Sequence, residues 1–115
     1  MNRQLIERTR QTIEKIATEH DITITRMIVY GSQAGEDHTA ESDIDIVLVS
    51  PDWEGEDYFA RPLDFLIEWP HDDLPSPDII PVTPTELEER AQDEYDIIQT
   101  AIDTGVVTEP QTATG

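Results

Sequence analysis

The sequence predicts a small α/β domain of the α+β kind, a mixed β-sheet with helices packed on one side. Three observations predict it. Residues 2–19 space their apolar positions as a helix does, two central stretches alternate as strands on either side of a glycine-serine turn, and a sharply capped helix follows a third short strand. With 115 residues the chain can fill one hydrophobic core and is too short for two. One domain over residues 1–107 is expected, with 108–115 as a disordered tail.

In chain order, Leu5, Ile6, Thr9, Ile13, Ile16 and Ala17 recur three and four apart and form one face of an amphipathic helix. The stretch ITITRMIVY, residues 22–30, alternates and then turns wholly apolar; its β-branched and aromatic content predicts a strand that ends at Gly31 and Ser32. SDIDIVLVS, residues 42–50, predicts a second strand, with Ile44, Ile46 and Leu48 on one face and Asp43, Asp45, Val47 and Val49 on the other. The apolar segment 58–69 is interrupted by Pro62, which predicts a broken or late-starting helix. DIIPV is a short strand, and Pro81, which has no N–H to donate, belongs at a strand end or sheet edge.

Residues 83–105 read as one helix: Thr83 as N-cap, Pro84 at the first helical position, Glu86 closing a capping box and Gly105 as the stop. Its buried face would hold Leu87, Ala91, Tyr95 or Glu94, Ile98 and Ile102. The ending VVTEPQTATG is small and polar after Val107 and is expected to fray. Large apolar side chains are scarce, so Trp53, Tyr58, Phe59, Phe65 and Trp69 are expected in core packing or loop anchoring, and Tyr30 in packing.

Charge excludes several functions. Seven Lys plus Arg stand against 26 Asp plus Glu, for a net charge of −19, so no broad basic surface can form for nucleic acid or an anionic membrane. The acidity runs along the whole chain and Lys15 is the only lysine, a pattern suited to a halophilic protein kept soluble in concentrated salt. Without cysteine there are no disulfides or thiolate metal sites. The polar start and the lack of a membrane-length apolar run lead to the expectation of a cytoplasmic protein. No serine sits in a hydrolase elbow.

Asp43-Ile44-Asp45 carries the chemistry. In a chain with this many aspartates a D-x-D pair arises readily by chance, so its context decides. On a strand both carboxylates project from the same face, repel each other and lose solvation, unless a cation lies between them. Hard oxygen donors favour Mg²⁺ or Mn²⁺ over Zn²⁺. The preceding Gly31 lets the backbone approach a bound group, and Ser32 adds a hydroxyl donor to the amides that follow. An anion cradle beside a carboxylate metal site suits a nucleoside triphosphate. A third carboxylate would complete the site: Asp78, at the start of the third strand, with Asp64 as the competitor.

These residues carry a resemblance. GSQAGEDHTAESDIDIVLV followed by PDIIPVTPTELEE resembles the minimal nucleotidyltransferases of the DNA polymerase beta superfamily, over roughly residues 22–103. The shared pattern is Gly-Ser, a spacer of about ten residues, Asp-x-Asp and a later strand with a third Asp. The resemblance implies the nucleotidyltransferase fold and the use of ATP. It also implies Mg²⁺ on Asp43 and Asp45, a third metal-site carboxylate at Asp78 that assists the attacking hydroxyl, and phosphate contacts from Gly31 and Ser32. It further implies an antitoxin-type role in which AMP is transferred to a tyrosine of a helical HEPN-domain partner. Gln33 and Gly35 stand where such proteins carry arginines, and Glu36 where the last glycine is usual. That departure keeps a second expectation open, a catalytically decayed module that neutralises a HEPN-like toxin sterically.

A protein whose self-repulsion must be screened should fold fully only in concentrated salt. A refolding titration from molar KCl into dilute buffer is expected to show progressive loss of structure; full stability in dilute buffer would contradict the salt-adapted reading.

Overall fold

The structure, a computed structural model, describes residues 3–30, 43–93 and 96–110. The elements run α1 (Arg3–Glu19), β1 (Arg26–Tyr30), β2 (Ile44–Val49), a 3-10 turn (Pro51–Trp53), α2 (Leu63–Glu68), β3 (Pro77–Val82), α3 (Pro84–Ala91), α4 (Ile97–Thr104) and β4 (Val106–Thr108). The sheet order is β3-β2-β1-β4. β1 is antiparallel to both β2 and β4, whereas β2 and β3 are parallel. The class expected from the sequence is therefore the one found. A parallel pair needs a crossover, which here is made by the 3-10 turn, α2 and their loops. β3 lies at a sheet edge, where Pro81 is tolerated.

α1 buries Ile6, Thr9, Ile13, Ile16 and Ala17, the face its spacing predicts. It ends in a Schellman turn: Ile22 N donates to Ala17 O at 2.8 Å, Asp21 N to Thr18 O at 3.3 Å, and Asp21 takes a left-handed φ of 56°. The first strand is shorter than expected, since only Arg26–Tyr30 pair fully; Thr23 N instead donates to the Asp52 carboxylate at 2.7 Å. α2 begins after Pro62, as the interruption requires.

The layering differs from the sequence expectation. Met27, Val29, Ile44, Ile46 and Leu48 pack under α1 and α2 with Trp53, Phe65 and Trp69. Ile28, Tyr30, Val47, Val49 and Val82 pack against Leu87 of α3 and Ile98 and Ala101 of α4. Helices thus cover both faces and not one, because the second face is also apolar over most of its length and must leave water. Trp53 and Phe65 meet edge to face at 6.3 Å, and Trp69 donates its indole N–H to Pro75 O. Tyr58 and Phe59, also expected to pack, are exposed.

The single helix expected over 83–105 is two. The capping box forms as read, with Glu86 N donating to Thr83 Oγ1 and Thr83 N to Glu86 Oε1. α3 then stops at Ala91, and Asp96 starts α4 by accepting from Ile98 N at 2.9 Å. An unbroken helix of this length would extend about 33 Å, well past strands of about 20 Å, so its second half would leave the sheet uncovered. Asp93 and Asp96 supply the polar break and the new cap. Tyr95 and Glu94, expected on the buried face, lie outside the described residues.

β4 was not anticipated. Val106, Val107 and Thr108 pair with Val29, Ile28 and Met27 and close the free edge of β1. Residues 111–115 of the expected tail lie outside the described residues. Gly105 does end α4, but by close approach and not by a left-handed turn: a Cβ there would meet Ala101 O at 2.5 Å, Val29 O at 2.7 Å and Ile28 Cγ2 at 2.7 Å. Two of those atoms are backbone and cannot rotate away. Gly105→Ala is expected to cost about 1–3 kcal/mol by overpacking, read as a lowered urea midpoint in molar KCl.

Candidate active site

Strand register assembles the site. The parallel pairing sets Asp45 of β2 beside Asp78 of β3, and the antiparallel pairing sets Tyr30 of β1 beside Asp45. Paired residues share a face, so Tyr30, Asp45 and Asp78 form a row across three strands, on the side covered by α3 and α4. Asp43 precedes β2 by one residue and shares the parity of Asp45. The row lies where β1 ends and where β2 and β3 begin, and Gly31 follows Tyr30 directly in sequence. Gly31 and Ser32, the expected phosphate cradle, lie outside the described residues.

Asp64 is elsewhere. It sits on α2, which packs against the opposite face, and its carboxylate is 3.7 Å from His20 Nδ1. It lines a separate recess with Asp52, Trp53 and Arg61. Of the two candidates for a third carboxylate, the geometry brings Asp78 to Asp45 and keeps Asp64 away.

The row is electrostatically unrelieved. Burial, then the neighbouring Asp78 and Asp43, push the Asp45 carboxyl above its ordinary value. Tyr30 is pushed up to about 12, first by burial and then by Asp45 and Asp78, so it remains a neutral phenol at any working pH. Among the described residues no Lys or Arg is paired with Asp43, Asp45 or Asp78. Nor, among those residues, does any group of three or more His, Asp or Glu stand in metal-holding geometry, so these side chains must swing together to share an ion. The donor set nevertheless suits a divalent cation: three hard carboxylates at neighbouring positions of one sheet face, whose mutual repulsion an ion would remove.

Two neighbours escaped sequence reasoning. Tyr30 carried only a packing signal, because register and not composition makes it the cross-strand partner of Asp45. Arg90 carried no signal; it works against the rise of Tyr30's pKa, so it lies within electrostatic reach of the row. Its guanidinium donates to Asp96 through Nε at 3.0 Å and Nη2 at 3.1 Å, and the Tyr58 hydroxyl also bonds to it. Arg61 holds α3 from behind: it is only 7% exposed and binds both oxygens of Glu86, with further bonds to Pro81 O and Glu56 O.

Comparison with known proteins gives the family and the fold. Residues 9–109 match the family model of the nucleotidyltransferase domain, and the chain belongs to that family. Domains of this family transfer nucleotidyl groups and generally use a divalent metal and a nucleoside triphosphate. A crystal structure of a candidate nucleotidyltransferase from Sulfolobus solfataricus shares the fold. It superposes with a TM-score of 0.51 at 21% identity, over 75% of this chain and 73% of that one. No curated protein matches the chain. Among the described residues no helix is long and apolar enough to cross a membrane.

A carboxyl whose pKa is raised by folding destabilises the fold once ionised: the penalty is absent below the unfolded value and present in full above the folded one. Asp45→Asn is therefore expected to melt higher than the unaltered protein at neutral pH with divalent metal chelated. The gain should shrink as pH falls through the aspartate range, as followed by thermal melts against pH; a gain independent of pH would contradict the repulsion.

Proposed function

We propose that the protein is a Mg²⁺- or Mn²⁺-dependent adenylyltransferase that moves AMP from ATP to a hydroxyl group of a partner protein. The observation that carries the reading is the register that aligns Asp45 with Asp78, with Asp43 two residues before Asp45 on the same parity. Asp43, Asp45 and Asp78 are the assigned ion ligands, and Gly31 and Ser32 the contacts to the β- and γ-phosphates. A divalent cation held there would neutralise phosphate charge that a chain of net charge −19 otherwise repels.

Asp78 is the most outlying carboxylate of the row, on the edge strand, and it is exposed. An acceptor arriving from outside meets it first. Its carboxylate orients the acceptor hydroxyl and takes its proton as the oxygen attacks the α-phosphorus. The new O–P bond forms as the bond from the α-phosphorus to the bridging oxygen breaks, and pyrophosphate leaves. Tyr30, buried beside Asp45, closes the row on the side of β1.

A protein acceptor is supported by exposed apolar side chains: Phe59 is 78% exposed, Ile67 76% and Leu63 47%, and Leu63 and Ile67 are one turn apart on α2. The resemblance to minimal nucleotidyltransferases supports a helical HEPN-domain protein as that partner and an antitoxin-type role. The same exposed residues favour the second reading, a module that has lost catalysis and blocks the partner by occupying it. The absence of arginine and lysine from residues 31–42 agrees with it.

Calorimetric titration in molar KCl is expected to show ATP binding that requires Mg²⁺ and is lost in Asp43→Asn. Incubation with the partner and labelled ATP should transfer AMP in the unaltered protein and not in the Asp43→Asn, Asp45→Asn double variant. Transfer that survives in the double variant would overturn the assignment. If that variant still neutralises the partner, the steric reading prevails.

A further inference from the structure

We propose that Arg90 is the cation that grips the triphosphate at this site, with Asp96 holding its guanidinium ready at the rim of the acidic row. The inference deepens the nucleotidyl-transfer reading above and rests on it. Its starting point is a shortage. A bound triphosphate carries up to four negative charges, and the segment after the Gly-Ser pair, residues 33–42, holds Glu36, Asp37 and Glu41 with no Lys or Arg. Positive charge for the phosphates must come from elsewhere in the fold.

All seven cations lie among the described residues, and their positions leave one candidate. Arg3, Arg8, Arg10 and Lys15 are on α1, which covers the other face of the sheet. Arg26 begins β1 opposite Val49, at the far end of the strands from Tyr30 and Asp45. Arg61 is buried and committed to Glu86. Arg90 alone remains on the face of the row.

The fold also brings Arg90 to the correct end. From Asp78 to Val82 β3 advances about 13 Å at strand rise, and α3 packs Leu87 back onto the same face. From Pro84 through Arg90 a helix advances about 10 Å, which nearly retraces the strand. The residue at the last turn of α3 therefore returns toward the level of Asp78.

Arg90 is pre-positioned in the way phosphate recognition needs. Asp96 takes Nε and Nη2 in a two-point grip that fixes the guanidinium plane, and Asp96 is itself fixed by capping α4. Two of five N–H groups are spent there and the Tyr58 hydroxyl takes another contact, which leaves N–H donors over for a second acid. The arrangement also explains why the helix breaks at this point: an unbroken helix would place residue 96 beyond the reach of a carboxylate grip on Arg90, since only residues three or four apart meet on one helix.

The test is calorimetry in molar KCl with Mg²⁺, titrating ATP and then AMP into the unaltered protein, Arg90→Gln, Arg90→Lys and Asp96→Asn, each with a melting curve. Arg90→Gln should weaken ATP binding by about tenfold to a hundredfold, the worth of a charge-assisted hydrogen bond. AMP, which lacks the β- and γ-phosphates, should change little, and Arg90→Lys should restore part of the ATP affinity. Asp96→Asn should melt lower but keep ATP binding nearer to that of the unaltered protein. Unchanged ATP affinity in Arg90→Gln overturns the proposal and leaves the site assignment standing. Equal losses in Arg90→Gln and Asp96→Asn that track their melting temperatures assign the pair to structure and also overturn it. If the unaltered protein shows no metal-dependent ATP binding, the nucleotidyl-transfer reading itself falls and takes this one with it.

Discussion

The parallel pairing of β2 with β3 is the constraint on which the rest depends. It carries Asp78 to the side of Asp45 from more than thirty residues away in sequence, and it needs a crossover, which the turn at Pro51–Trp53 and α2 provide. The crossover is in turn anchored by Trp53, Phe65 and Trp69, three of the few large side chains in the chain. An acidic protein with a small core has placed its largest apolar groups under the connection that sets Asp78 beside Asp45.

The same pairing explains a tension between stability and chemistry. A sheet face is normally completed by apolar residues, and β2 obeys this at Val47 and Val49 but not at Asp45. The half-buried carboxylate beside Asp78 is a local cost, visible as an upward shift of its pKa. Such sites are where a fold departs from the rules that build it, and departure here coincides with the residues that match a phosphate-transfer signature. The cost is tolerated because β1 and β2 are buried on both faces over most of their length and fix the position of Asp45.

Arg61 and Arg90 show two uses of a scarce cation. Arg61 is enclosed and satisfied by Glu86, Pro81 O and Glu56 O, so it joins the start of α3 to the crossover and has little left to offer a ligand. Arg90, at the other end of the same helix, is held by a single carboxylate and the Tyr58 hydroxyl. The side chain of Tyr58 links them, with the Arg61 guanidinium 5.8 Å from its ring centre. Changes at one end of α3 can therefore be felt at the other through a short polar chain.

What the sequence determined by itself were features that depend on neighbours in the chain. The buried stripe of α1, the capping box at Thr83 and Glu86, the late start of α2 after Pro62 and the shared face of Asp43 and Asp45 all follow from local spacing. The spaced Gly-Ser and Asp-x-Asp pattern was legible for the same reason. Tertiary structure decided what depends on distant partners: the placing of Asp78 and not Asp64 beside Asp45, the position of Tyr30, the cover on the second sheet face, the break between α3 and α4, and the pairing of β4 with β1. Register, layering and edge closure are set by which segments compete for the same buried surface, and that competition has no signature in a local window.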